Sequence, residues 1–470
     1  MRSDQNKSNH KLGTGLKSRQ VTMISIGGVI GAGLFVGSSN AIATAGPAVL
    51  VSYLIAAVIV VLVMQMLGEM ATARPDTGSF SSYADQAMGR WAGFSIGWLY
   101  WWFYVLVIAI EAIVAGNILG DWLGLPHWLT AFAITSVLIL CNSLSVGSFG
   151  TLEYWLSLFK VVSIVGFIVF GVVAIFGLMP GSSTSGIANL YANGGFAPNG
   201  NAAIVAALLT AMFSFQGSEV VTIAAAESRD PKANIKKAIR AVVWRLGLFY
   251  LGSMFVVVCL IPWNAPGLAQ GSYQAVLNAM NIPYASGIMS IVVLVAVTSC
   301  LNSAIYTASR MAYSLATRGD APEAVSRTNR QGVPLVAVAL TSVAALAALL
   351  ANYLLPAQVF QFLLATSGAL ALLMYLVIAI TQLCMRRKLV AMGKRLEVRM
   401  WLFPWLTLLT IAFIVGIFAV MAIFPGQRAE LLSTLGLTAF LVVVGVLLQK
   451  SQPALSARRN AMQVDDGAIA

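Results

Sequence analysis

Charge is what this sequence has least of: Asp, Glu, Lys and Arg make up 9% of its 470 residues, and only 16 are acidic. A soluble domain carries roughly 25% charged residues, so water cannot be the solvent for most of such a surface. Cysteine and histidine are scarce as well. The four cysteines (Cys141, Cys259, Cys300, Cys384) lie in or beside apolar stretches without a CxxC pair, and His10 and His127 stand far apart. That argues against a disulfide framework and leaves no metal site or cofactor to be expected. It also leaves no nucleophile–base set for an intramembrane enzyme. No repeated pore helix or charged ring marks an ion channel. The N-terminal stretch MRSDQNKSNHKLGTGLKSRQ is polar and basic, with no apolar run leading to a cleavage site. It reads as a retained cytoplasmic tail, not a secretory signal.

What is there is apolar: 59% of residues are hydrophobic and the mean hydropathy is +0.86. Apolar segments fall at 20–44, 46–70, 91–119, 126–146, 154–178, 201–226, 241–262, 285–314, 334–353, 357–384, 400–424 and 430–449. Each is close to the roughly 20 residues that one membrane crossing needs. The expected fold is therefore an all-α integral membrane protein with twelve transmembrane helices. With the N-terminus inside, 26 of the 28 Lys and Arg residues lie on cytoplasmic segments; Lys160 sits within a span and Arg428 outside. This is the positive-inside pattern for an even number of crossings, both termini cytoplasmic. The net charge of +12 reports orientation against lipid headgroups, and no nucleic-acid partner is expected.

Two segments are interrupted at mid-span. The first contains GGVIGAG at 27–33, four glycines in seven residues, and the sixth contains FSFQGSE at 213–219. Irregular backbone survives at membrane depth only where it lines a cavity, and paired broken segments in two halves point to a transporter's binding site. Close helix packing through small residues is the plainer reading of the glycines alone. A second correspondence supports an internal repeat: GSFSSYADQAMG (78–89) and GSYQAVLNAMN (271–281) both read as Gly-Ser-aromatic followed by a short amphipathic helix. The offsets are 186 from Gly31 to Gly217 and 193 from Gly78 to Gly271, and the two short helices fall on opposite membrane faces.

A break in the first helix leaves the amides after Ile30 unpaired at the positive end of a half-helix, a backbone seat for a carboxylate. Carbonyls ending the preceding half-helices, near Val29 and near Phe213, Ser214 and Gln216, present the opposite polarity and suit an ammonium. A cavity with both ends fits a zwitterion. Three ionisable residues lie inside spans, Glu111, Lys160 and Glu219. Each costs on the order of 2.5–3.5 kcal/mol at a helix centre, so each is a functional candidate. Glu111 shares a helix face with Trp101, Tyr104 and Ile108, a stripe suited to a cavity wall; its alternative is an acid satisfied by a neighbouring helix. Glu219 follows the sixth-segment break by two residues, where capping is the alternative. Lys160 either snorkels to the interface or holds the helix 1 break, with Ser299, Asn302 and Ser303 as further partners. Glu69, Glu153 and the loop arginines read as solvated or interfacial.

The stretches GLKSRQVTMISIGGVIGAGLFVGS (15–38), AGPAVLVSYLIAAVIVVLVMQMLGEM (45–70), PDTGSFSSYA (75–84), MFSFQGSEVVTIAAAES (212–228) and TSCLNSAIYTASRMAYSLATRGDAP (298–322) resemble the amino acid–polyamine–organocation superfamily. Within it the chain is similar to bacterial amino acid permeases, and WLYWWFYVLVIAIEA (98–112) and VVVCLIPWN (256–264) resemble the branch that carries 4-aminobutyrate (GABA). The resemblance spans about 12–450. It implies a LeuT-like inverted five-plus-five repeat with two further C-terminal helices, in the bacterial inner membrane. The implied domains are a tail (1–19), repeat 1 (20–178), repeat 2 (201–384), helices 11 and 12 (400–450) and a C-terminal tail (451–470). It implies proton symport of an amino acid, GABA or a related ω-amino acid; a proline, aromatic or basic substrate and sodium coupling are the alternatives. The implied substrate-binding residues are Val29, Ile30, Gly31, Ala32, Gly33, Glu111, Phe213, Ser214, Phe215, Gln216 and Gly217, and the implied proton-coupling residues are Lys160 and Glu219. In that picture the Lys160 ammonium stands where a sodium-coupled relative would hold its cation.

Overall fold

The structure, a computed structural model, describes residues 17–144, 146–179, 186–354, 356–393 and 396–451. Most of the two expected tails lies outside these residues. The described residues fold as helices joined by turns and short connections. Helix α1 (Ser18–Gly27) is followed after a break by a π-helical turn (Gly33–Gly37) that runs into α2 (Ser38–Ala45). Then come α3 (Val49–Ala73), α4 (Ser79–Met88), α5 (Arg90–Leu123), α6 (His127–Leu144) and α7 (Val146–Ile175). The second half opens with α8 (Gly200–Phe215) and, after another break, α9 (Val220–Ala226). It continues with α10 (Pro231–Arg245), a π-helical turn (Leu246–Gly252), α11 (Ser253–Leu260), α12 (Ser272–Ala279), α13 (Ala285–Thr317), α14 (Leu335–Leu354) and α15 (Pro356–Ala391). Helices α16 (Trp405–Ile423) and α17 (Pro425–Ser451) close it.

Among the described residues, 11 helical windows are long and apolar enough to cross a membrane. The expected twelve requires dividing the first, Gly33–Ala73, which is 41 residues long, at Gly46 and Pro47, where the φ of +64° interrupts the helix. Burial ranks the helices. In the most apolar window of α5, 83% of residues are buried, against 17% in that of α17, so α5 runs through the middle and α17 along the edge. Trp405, Leu409, Leu432 and Phe440 are exposed on α16 and α17, an apolar surface that lipid covers at little cost.

The two short helices occupy corresponding places. Asp76 fixes the turn that leads into α4, its Oδ1 accepting from Gly78 N at 2.6 Å and Ser82 Oγ at 2.8 Å. Arg318 and Lys388 donate to Ser81 Oγ and to the carbonyls of Gln86 and Ala87, placing α4 on the basic face. Helix α12 is tied to the end of the first span, Ser272 N donating to Ser39 Oγ at 2.8 Å, and lies at the other face. An inverted repeat demands this opposition.

Glu69 and several loop arginines depart from the interfacial position expected of them. Glu69 is buried and accepts from Arg386 Nη1 (2.9 Å), Gln382 Nε2 (2.8 Å) and Met400 N (2.6 Å), joining α3, α15 and the segment before α16. Arg90 and Arg310 are also buried, paired with Asp320 at 2.9 Å and Glu227 at 3.2 Å. Burying a charge is costly, and each of these meets a partner that offsets part of that cost.

Candidate functional site

Both breaks exist, and they face each other. Helix α1 ends at Gly27 and α8 at Phe215. Gly217 has φ of +105°, and a Cβ there would fall inside the contact radius of the Gly28 carbonyl. Only glycine lets the two unwound backbones touch. Gly31 and Gly33 serve approach of a different kind: a Cβ at 31 would collide with Glu111 Oε1 and lie 2.8 Å from Cys300 Sγ, and one at 33 would lie 2.7 Å from Ser214 Cα.

The Ala32 amide, expected to be unpaired, is held instead by a carboxylate of the protein. Ala32 N donates to both oxygens of Glu111, at 3.1 and 3.0 Å. Glu111 is buried on α5. A free amide at a half-helix start attracts an anion, and Glu111 supplies one.

The opposite pole carries a group that sequence reasoning missed. Tyr250, in the π-helical turn after α10, donates its hydroxyl to Val29 O and Ser214 O, both at 2.7 Å. Two of the carbonyls expected to meet an ammonium thus share the single proton of one phenol, and each keeps a second lone pair. No local pattern marks Tyr250, beyond a tyrosine in an apolar run; its partners lie 221 and 36 residues away. Phe213 O accepts from Gln216 N at 3.2 Å. The Gln216 side chain is buried, and neither its Oε1 nor its Nε2 has a partner. A primary amide left unsatisfied in a cavity wall costs about 1–3 kcal/mol, a cost a ligand would relieve.

Glu219 is pinned between the halves. Its Oε1 accepts from the hydroxyls of Tyr100 (2.9 Å) and Tyr104 (3.1 Å) of α5, and its Oε2 from Gly217 N (3.1 Å). It caps the break and ties α9 to α5. Lys160 on α7 is fully buried and donates to Ile30 O at 2.7 Å, so it does not snorkel. It grips the carbonyl at the break of the first span.

Val29, Gly31, Gly33, Glu111, Phe213, Ser214 and Gln216 line a cavity of about 20 Å³ with Gly28, Phe103, Tyr104, Val107 and Cys300. That space suits about one water molecule and is too small for an amino acid in this conformation. Of the residues expected at the substrate, Ile30, Ala32, Phe215 and Gly217 are outside that lining, as are Trp101 and Ile108 of the α5 stripe. Phe215 packs behind the cavity on Tyr53 and Tyr250, at ring distances of 5.7 and 4.5 Å. Ile30 contributes its carbonyl to Lys160, and Trp101 leaves the Glu111 stripe to donate to Thr341 on α14 at 3.0 Å. Beyond this site a vestibule of about 940 Å³, lined by Phe35, Asn117, His127, Trp263, Tyr273 and others, opens on the face remote from the basic loops.

Comparison with known proteins agrees with this architecture. Residues 20–457 match the amino acid permease family. A probable GABA permease of Pseudomonas aeruginosa is 56% identical, over 96% of this chain and 95% of its own length. A gamma-aminobutyric acid permease of Escherichia coli is 56% identical, over 94% and 95%. In fold, a mutant of the Eremococcus coleocola manganese transporter superposes with a TM-score of 0.58 at 13% identity, covering 94% of each chain. The chain belongs to the amino acid permease family, and is a multi-pass membrane transporter of amino acids with a LeuT-like fold, not an enzyme.

Proposed function

We propose that this transporter imports 4-aminobutyrate or a related ω-amino acid together with a proton, across the bacterial inner membrane, by alternating access. One observation carries the reading: the amide of Ala32 is held by a carboxylate at the mouth of a break whose other wall carries the unpartnered amide of Gln216. The names of the two 56% identical relatives support GABA as substrate. Both termini are cytoplasmic in this reading and the vestibule faces the periplasm. The repeats run over 20–178 and 201–384, flanked by the tails 1–19 and 451–470 and by the helices of 400–450.

Substrate enters from the vestibule, its carboxylate replaces Glu111 on Ala32, and its ammonium settles among the carbonyls of Val29, Phe213 and Ser214 beside Gln216. Lys160 carries the coupling proton, and Glu219 keeps the sixth-span break aligned with α5 as it moves. A zwitterion travelling with one proton carries positive charge inward, which the membrane potential assists by about 2.3 kcal/mol per 100 mV. Sodium coupling is the second reading; the Lys160 ammonium on Ile30 O speaks against a cation at that carbonyl. The purified protein in proteoliposomes should accumulate labelled GABA under a proton gradient without sodium, and unlabelled GABA and 5-aminovalerate should compete better than proline, lysine or phenylalanine. Competition confined to α-amino acids would remove the substrate assignment, and uptake driven only by sodium would remove the coupling.

A further inference from the structure

Glu153 is among the buried acids that the coupling scheme leaves unused. Expected at the interface, it is fully buried on α7. Its Oε1 accepts from Ser157 Oγ at 3.2 Å and from Ser299 Oγ, and its Oε2 from Asn302 Nδ2 at 3.2 Å. Asn302 Oδ1 in turn accepts from Asn142 Nδ2 at 2.8 Å. The network thus joins α6, α7 and α13 around one carboxylate.

Glu153, Ser157 and Lys160 stand at i, i+4 and i+7, so they stack on one helix face. All three are fully buried. The face spans about 10 Å from Glu153 to Lys160 at 1.5 Å per residue, and the Ser157 hydroxyl divides the gap. Thr151, two residues before Glu153 and on a different face of α7, is exposed and accepts from Gln20 Nε2 of α1 at 3.1 Å. The ladder therefore runs from the helix 1 break to Glu153, about half a turn from the rim where α1 leans on α7. Its charged and titratable neighbours are Glu111 of α5 and Cys300 of α13, both interacting with Lys160.

We propose that Glu153 is the proton acceptor through which Lys160 discharges to the cytoplasm. This rests on the proton-coupled reading above. The Lys160 ammonium passes a proton to the Ser157 hydroxyl as that hydroxyl gives its own to Glu153 Oε1, leaving a neutral amine and a neutral acid. When α1 swings from α7 and breaks the Gln20–Thr151 contact, Glu153 releases the proton to cytoplasmic water and returns to a carboxylate.

The test compares two modes of transport in proteoliposomes. Proton-driven accumulation of labelled GABA requires the discharge; exchange of labelled for unlabelled GABA at equal pH does not. Glu153→Gln keeps most of the hydrogen bonds but binds no transferable proton, so accumulation should fall at least tenfold while exchange stays within about threefold, and Glu153→Asp should recover part of the accumulation. Accumulation within twofold of the unmutated protein in Glu153→Gln would overturn the inference. So would loss of exchange in both variants, which would make Glu153 a packing element. An unmutated protein indifferent to the proton gradient removes the coupling reading and this inference with it, whereas a responsive one paired with a responsive Glu153→Gln removes the inference alone.

Discussion

Gly217→Ala should reduce GABA uptake to background in protein that remains folded. A φ of +105° is a backbone conformation that costs an L-residue about 1–3 kcal/mol. The added methyl would also meet the Gly28 carbonyl, which is backbone and has no rotamer to yield, and overpacking of this kind costs a further 1–3 kcal/mol or so. Relief can come only by separating the two breaks, the arrangement that holds Ala32 N and Gln216 at one site. A cost of about 2 kcal/mol at the substrate-binding state already lowers uptake roughly 30-fold. Gly166→Ala is the matched comparison: it lies in membrane-spanning α7, a Cβ there meets nothing within 4 Å, and uptake should stay near that of the unmutated protein. Initial rates per milligram of monodisperse protein decide it, and equal rates in the two variants would mean the touching breaks are dispensable.

Lys160→Ala has the second-largest expected effect, and of a different kind. A lysine at a helix centre costs on the order of 2.5–3.5 kcal/mol, a cost with no structural return unless its ammonium is needed at Ile30 O. Alanine removes the proposed proton carrier and leaves that carbonyl without this donor, worth about 1–3 kcal/mol when buried. Accumulation driven by an imposed proton gradient should drop to the passive leak. Lys160→Arg should not restore it, because a guanidinium keeps its proton throughout the physiological range. Accumulation by Lys160→Ala at the unmutated level would take the coupling role away from this residue.

The parts of the site made of backbone were the most legible in the sequence. Glycines at 27, 28, 31 and 33 alone also fit close helix packing; paired with the polar insertion FSFQGSE in the other half, they signal unwinding at membrane depth. Lys160 was legible for a related reason: a lone ammonium among apolar residues needs a carbonyl, and the break of the first span provides one. The amphipathic helices α4 and α12 carried their own Gly-Ser signatures.

The side-chain wiring was not legible. Tyr250 bridges Val29 and Ser214 only because α10 and its π-helical turn pack across both breaks, a register that no periodicity in 246–252 encodes. Glu69 and Glu153 sit near the ends of apolar runs, where a carboxylate in water and one met by Gln382 or Ser299 look alike in one dimension. Trp101 and Glu111 lie on one stripe of α5, yet the helix is wrapped on several sides, and the stripe divides between Thr341 and Ala32. Glu111 was expected to meet substrate, but nothing in the sequence indicated that it would already sit on the amide proposed for the substrate carboxylate.

The central claim, that bare backbone dipoles at two breaks receive the ends of a zwitterion, is tested most directly by an experimental structure with GABA bound. The expected result is a ligand carboxylate oxygen about 3 Å from Ala32 N, Glu111 turned off that amide, and the ligand ammonium against the carbonyls beside Tyr250 and the Gln216 amide. A ligand lying elsewhere while Glu111 keeps both bonds to Ala32, or spans that run unbroken through 28–32 and 216–219, would contradict it.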